Sequence, residues 1–162
     1  MTEFSYIYYS KNKQSHHSRE NAPNDFMVTT FLFHLIIKEN KMKYIYVVDD
    51  SIDFLEVFAA VLRRNRFRAV LVDSRNLLFE KLQTTTPDLF LIDVRFGYND
   101  GRLLCRDLKL KYGLKNTPII LISANHQSLV GYEAYLADDF LEKPFSFTTF
   151  LKKANALLDA IA

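Results

Sequence analysis

Five short, continuous apolar runs, separated by segments of helical length, constrain this chain more than any other feature. The runs are Tyr44–Val48, Ala69–Val72, Leu89–Ile92, Ile119–Ile122 and Phe140–Leu141. They are unbroken rather than alternating, which is the pattern of parallel strands covered on both faces. Between the first two, Leu55, Phe58, Ala59 and Leu62 mark a stripe at i, i+3, i+4 and i+7. Leu77, Leu78, Lys81 and Leu82 predict a second helix and Leu103 to Tyr112 a third. Gln127 to Ala137, with Gly131 inside it, reads as a weaker fourth. In the last helix Phe147, Phe150, Leu151, Ala154, Leu157, Leu158 and Ile161 hold one face, with Ser146 as N-cap. Strict alternation of strand and helix requires right-handed crossovers. The expected fold is therefore α/β: a doubly wound, five-stranded parallel sheet of order 2-1-3-4-5 with helices on both faces.

The pattern begins only at Lys43, so residues 1–42 read as an N-terminal extension to a domain spanning 43–162. Met1 to Asp25 is polar and aromatic without a period. Its adjacent His16 and His17 lack acidic or cysteine partners at ligand spacing, and a solvated loop is the simpler reading. The run Phe26 to Ile37 is too short for the ~20 apolar residues of a membrane span and contains His34. A signal peptide is not indicated either, for want of a basic start and a small-residue cleavage site. The run is either an extra helix or strand, or, with translation starting at Met42, not part of the native protein.

With 21 Lys and Arg against 19 Asp and Glu, the net charge of +2 gives no reason to expect bulk nucleic-acid binding. The cluster Arg63-Arg64-Asn65-Arg66-Phe67-Arg68 reads as a solvated helix end, with cations suited to the C-terminal dipole. One cysteine, Cys105, excludes an internal disulfide framework and multi-cysteine metal sites, and an intracellular, cytoplasmic location is expected.

In such a sheet ligands bind beyond the carboxyl ends of the strands, at the switch point of the strand order. Asp49 and Asp50 follow the first run, Asp93 the third, Ser123 the fourth and Lys143 the fifth. The order sets the first and third strands side by side, so three carboxylates are expected on one rim. Their repulsion is relieved by protonation or by a divalent cation, and an open, oxygen-lined rim favours Mg²⁺ over zinc. Three aspartates, a doubly charged ion and Lys143 sum to a neutral site. Such a site can take a phosphoryl group, with Asp93 as nucleophile. Singly, each residue has a plainer role: Asp49 or Asp50 capping the helix near Ile52, Ser123 ending a turn, Lys143 standing in a loop. Asp93, closing the most apolar run, resists that treatment, and the placement of all five at one end argues against coincidence.

These residues resemble the receiver domain of two-component response regulators, a flavodoxin-like family. Val47-Val48-Asp49-Asp50-Ser51 is similar to its acidic pair, and Asp93 to Gly101 to its phospho-acceptor loop. Leu121-Ile122-Ser123-Ala124 resembles the strand ending in the switch Ser/Thr, and Ala137 to Phe145 the stretch bearing the lysine. The resemblance implies that Asp50, Asp93 and the backbone carbonyl of Arg95 hold Mg²⁺, with Asp49 acting through water. It implies that Ser123 bonds the phosphoryl oxygen and moves on activation, that Phe140 is the coupled aromatic switch, and that Lys143 pairs with the phosphoryl group. The implied donor is a phosphohistidine on a histidine kinase or phosphotransfer protein.

Gly97 stands where proline is usual, and a more mobile acceptor loop is expected. Phe140 lacks the hydroxyl of a tyrosine. Arg95 and Asn125 are expected to tune phosphoryl lifetime. No DNA-binding or catalytic module follows the last helix, so a stand-alone switch signalling by protein contact is expected, with DNA binding disfavoured. A homodimer, if formed, is expected near Tyr132, Tyr135 and Lys152. Two competing readings are an interaction module that is never phosphorylated and a metal-dependent phosphotransfer enzyme. The intact acidic set opposes the first; the lack of a phosphate-binding glycine loop and a substrate lid opposes the second.

Overall fold

The computed structural model describes Thr30 and residues 42–161. The elements run β1 (Tyr44–Val48), α1 (Ile52–Arg64), β2 (Arg68–Val72), α2 (Arg75–Leu82) and β3 (Leu89–Asp93). A two-strand hairpin, β4 (Arg95–Phe96) and β5 (Asn99–Asp100), leads into α3 (Gly101–Lys111). Then come β6 (Ile119–Ser123), two 3-10 turns (His126–Ser128 and Tyr132–Tyr135), β7 (Asp139–Glu142) and α4 (Phe147–Asp159). The large sheet is parallel in the order β2-β1-β3-β6-β7. Counting its five strands alone, this is the expected 2-1-3-4-5 order, with β6 and β7 as fourth and fifth.

Alternate residues of the strands feed two separate cores. On one face Tyr46, Val48, Phe90, Ile92, Ile119 and Leu121 pack with Leu78 of α2 and Leu104, Cys105 and Leu108 of α3. On the other, Ile45, Val47, Leu89, Leu91, Ile120, Ile122 and Leu141 meet α1 and α4. Because both faces are covered, consecutive interior strand positions are apolar, which explains the unbroken runs. The α1 stripe is buried at Leu55, Phe58 and Leu62. Phe58 lies edge-on to Phe147 and Phe150 of α4, with ring centroids 5.2 and 5.0 Å away. Each such fully buried side chain contributes ~1.5–3 kcal/mol.

Caps fix where the helices begin. Ser146 accepts from the Thr149 amide at 3.0 Å, as expected for α4. The cap of α1 is Ser51, which accepts from the Phe54 amide, rather than Asp49 or Asp50. The third helix starts two residues before Leu103, with Asp100 as its cap.

The expected helix from Gln127 to Ala137 is absent. Two short 3-10 turns replace it, because Gly131 (φ 72°) and Leu136 (φ 63°) both sit in the left-handed region, where an α-helix cannot continue. Leu129 and Ala137 still reach the core, whereas Val130 and Leu136 are exposed.

Met42–Ala162 form one compact unit. The expectations concerning His16, His17, His34 and the Phe26–Ile37 run lie outside the described residues, apart from Thr30. Among the described residues no helix is long and apolar enough to cross a membrane.

Candidate functional site at the carboxyl rim of the sheet

Strand register builds the site. Val48 pairs with Ile92, so the residues that follow, Asp49 and Asp93, leave adjacent strands at the same level. Beyond β3 the Val94 amide donates to Ile122 O (2.8 Å), and beyond β7 the Lys143 amide donates to Ser123 O (2.8 Å). The parallel ladder thus carries Ser123 and Lys143 to the same rim.

Lys143 joins the acidic groups. Its Nζ donates to Asp49 Oδ2 at 2.6 Å and to Asp93 Oδ2 at 2.5 Å, crossing 94 and 50 residues of sequence. The Asp49 side chain is 2% exposed, Asp93 14% and Lys143 23%. The ammonium also lies 4.3 Å from the centre of the Phe54 ring, a cation–π contact. Burial pushes the Asp49 carboxyl above the usual carboxylate range; Lys143 and the Ser51 amide oppose this, while the Asp93 charge adds to it. For Lys143, burial works against the charged form, but the hydrogen bonds and charges of the two aspartates outweigh it and hold the ammonium above the ordinary lysine value.

The outer carboxylate oxygens are tied to the backbone. Asp49 Oδ1 accepts from the Ser51 amide and Asp93 Oδ1 from the Arg95 amide, each at 2.9 Å. Both aspartates therefore stand in fixed orientations. Asp50 differs: it is exposed and, among the described residues, makes no hydrogen bond or ion pair.

The described residues contain no ready-made group of three His, Cys, Asp or Glu ligands. The donor set nevertheless fits a hard divalent cation in kind. It is all oxygen, its three carboxylates exceed the one ammonium by two charges, and Asp50 has both oxygens free. The Arg95 carbonyl belongs to the hairpin strand opposite Asp100, directly after β3.

Ser123 ends β6 and is 4% exposed. Its Oγ accepts from the Asn125 amide (3.0 Å) and pairs with Ser128 Oγ (2.8 Å). Phe140 is half-buried against Tyr132, with centroids 5.0 Å apart, and Lys153 Nζ lies 5.7 Å from its ring. The Asn125 side chain is engaged in capping the first 3-10 turn, where it accepts from the Gln127 amide at 3.0 Å. Of the residues expected at a dimer face, Lys152 is exposed, whereas Tyr132 and Tyr135 are half-buried, the latter 5.2 Å below the Arg102 guanidinium.

Three features of the rim had no clear sequence signal. Ser128 is one serine in a segment read as helix. The β4–β5 hairpin turns through Gly97 (φ 57°) and presents Tyr98 fully to solvent. Gly101 packs so tightly that an added Cβ would lie 2.0 Å from the Asp93 carbonyl oxygen.

The family model for the response regulator receiver domain matches residues 45–155. Among curated proteins, the heme response regulator HssR of Staphylococcus saprophyticus is 28% identical over 114 residues, 69% of this chain and 50% of that protein. The regulatory protein VirG of Agrobacterium tumefaciens is 28% identical over 126 residues, 75% of this chain and 46% of that protein. Among solved structures, the signal receiver domain of a signal transduction histidine kinase from Syntrophus aciditrophicus superposes with a TM-score of 0.65 at 29% identity. It covers 73% of this chain and 91% of that one. The chain thus spans about half the length of the curated relatives it matches.

Proposed function

Because the chain belongs to the response regulator receiver domain family, we propose that it accepts a phosphoryl group on Asp93 and signals through contacts with other proteins. The donor in this reading is a phosphohistidine of a histidine kinase or phosphotransfer protein. The observation that carries it is the Lys143 ammonium, seated between Asp49 and Asp93 at the ends of three strands. A structural ion pair needs one carboxylate; a lysine shared by two at an open rim suits a site built to receive further negative charge.

In this mechanism an oxygen of the Asp93 carboxylate attacks phosphorus. The bond from phosphorus to the donor's imidazole nitrogen breaks, and that nitrogen keeps the electron pair. The Arg95 amide holds Asp93 Oδ1, which orients the carboxylate for attack. Lys143 turns from the Asp93 carboxylate to the oxygens of the arriving group and remains paired with Asp49. Asp50, Asp93 and the Arg95 carbonyl would hold Mg²⁺, with Asp49 acting through water, and the ion would supply charge neutralisation. Ser123 then donates to a phosphoryl oxygen, and Phe140 repacks as the β6 end shifts. Arg95, exposed two residues beyond the acceptor, sets the lifetime of the adduct together with Asn125. The protein acts as a cytoplasmic switch and does not turn over a small substrate.

Incubation with Mg²⁺ and acetyl phosphate, followed by intact mass measurement, tests this. One phosphoryl adduct, base-labile and missing from Asp93→Asn, is the expected result. No adduct would leave an unphosphorylated interaction module, and repeated turnover of a small phosphodonor by Asp93→Asn would indicate a different enzyme.

A further inference from the structure

The first 3-10 turn holds an arrangement that proton counting makes directional. A serine hydroxyl has a single proton to donate. Ser128 Oγ donates to Asn125 O at 2.7 Å, which uses its proton. In the 2.8 Å pair between the two hydroxyls, Ser123 must therefore be the donor and Ser128 the acceptor. Ser123 Oγ in turn accepts from the Asn125 amide at 3.0 Å. The hydroxyl that would answer a phosphoryl group has thus already committed its only proton to Ser128.

Ser128 is held where this requires it. Asn125 caps the turn through the Gln127 amide at 3.0 Å, and the Ser128 amide donates to Asn125 O, also at 3.0 Å. His126 Nδ1 lies 3.0 Å from Glu142 Oε2, which ties the turn to the end of β7, one residue before Lys143. The next residue, Leu129, is 1% exposed and anchors the turn in the core. Ser123, at 4% exposure, has little access to water as an alternative acceptor.

We propose that Ser128 is a positioning residue that holds the Ser123 proton away from the acceptor site, setting the threshold for the phosphorylated state. This deepens the reading above and rests on Asp93 as acceptor and Ser123 as the responding hydroxyl. Bonding to a phosphoryl oxygen requires Ser123 to release Ser128, so the phosphorylated state forgoes that hydrogen bond. Removing the Ser128 oxygen abolishes the competition while leaving the Asn125 amide bond to Ser123 in place.

The test follows the Asp93 adduct by intact mass, with acetyl phosphate and Mg²⁺, in six proteins. These are the unsubstituted chain, Ser128→Ala, Ser128→Thr, Ser123→Ala, the Ser123→Ala/Ser128→Ala double variant and Asp93→Asn. A net neutral hydrogen bond corresponds to a rise of about two- to tenfold in the adduct-to-free ratio for Ser128→Ala. Ser128→Thr, which keeps the hydroxyl, should match the unsubstituted chain. In the Ser123→Ala background, removing Ser128 should change nothing. An equal shift in both backgrounds, or no shift when Ser123 is present, would overturn the proposal. Absence of adduct from the unsubstituted chain would instead overturn the Asp93 reading, and this one with it.

Discussion

Lys143 binds Asp49 and Asp93 together at the rim, and its titration has a definite sign. Its pairing with Asp49 and Asp93 holds the folded-state value above the ordinary 10.5. Below the ordinary value the pairing stabilises the fold in full, and the contribution is lost as pH rises through the raised value. Chemical denaturation across the alkaline range should therefore show a steeper loss of stability in the unsubstituted protein than in Lys143→Met; parallel curves would contradict this. Asp49 has the same sense in a lower pH window. With its folded value raised, ionisation costs the fold stability as pH rises from the ordinary carboxylate value through the raised one. Gly101 acts through space instead of charge. A methyl group 2.0 Å from the Asp93 carbonyl oxygen and 3.0 Å from Ile92 Cγ2 must displace the end of β3 or the start of α3. Gly101→Ala should cost ~1–3 kcal/mol in urea denaturation, whereas a value near zero would show that the contact relaxes freely.

At the scale of elements, the sequence was legible wherever one face decides one periodicity. The buried strands announce themselves as apolar runs because both faces are covered, and α1 and α4 as stripes because each has a single covered side. Legibility failed where backbone conformation decides instead. Gln127 to Ala137 carries enough apolar residues to suggest a helix, yet the left-handed Gly131 and Leu136 break it, and no propensity marks Leu136 for that role. Ser51 caps α1 in place of the more conspicuous Asp49 and Asp50, and Asp100 caps α3 ahead of Leu103, where the apolar pattern begins. The loop after Asp93 is a further example. Gly97 suggested a more mobile loop than one with proline, but here φ is 57° at the turn of the β4–β5 hairpin. Proline fixes φ near −65°, so it cannot make this turn. Gly97→Pro should destabilise the protein by more than ~1 kcal/mol. A melting temperature equal to or above that of the parent chain would contradict the hairpin.

At the scale of the whole molecule, two cores share one sheet, and the site sits on the rim between them. The five rim residues read from sequence are placed by register: Asp49, Asp93 and Lys143 in direct contact, Ser123 beside them, and Asp50 turned to solvent. Neither the proton direction at Ser123 nor the packing of Gly101 could be read in advance, since each depends on a short turn of unforeseen geometry. Cys105 reports on the integrity of the unit, because burial in the α3 core pushes its thiol up to about 12. A thiol reagent at neutral pH should therefore react only as fast as the domain unfolds, and rapid labelling of the native protein would show that this core opens locally.

The central claim concerns the position of one covalent bond, and reductive trapping locates it. An aspartyl phosphate is reduced by borohydride to homoserine, so the phosphorylated chain can be treated, digested and mapped by mass. Homoserine is expected at position 93 and at neither 49 nor 50, with the signal lost in Asp93→Asn. Homoserine at another position, or none after exposure to phosphodonor and Mg²⁺, would contradict it.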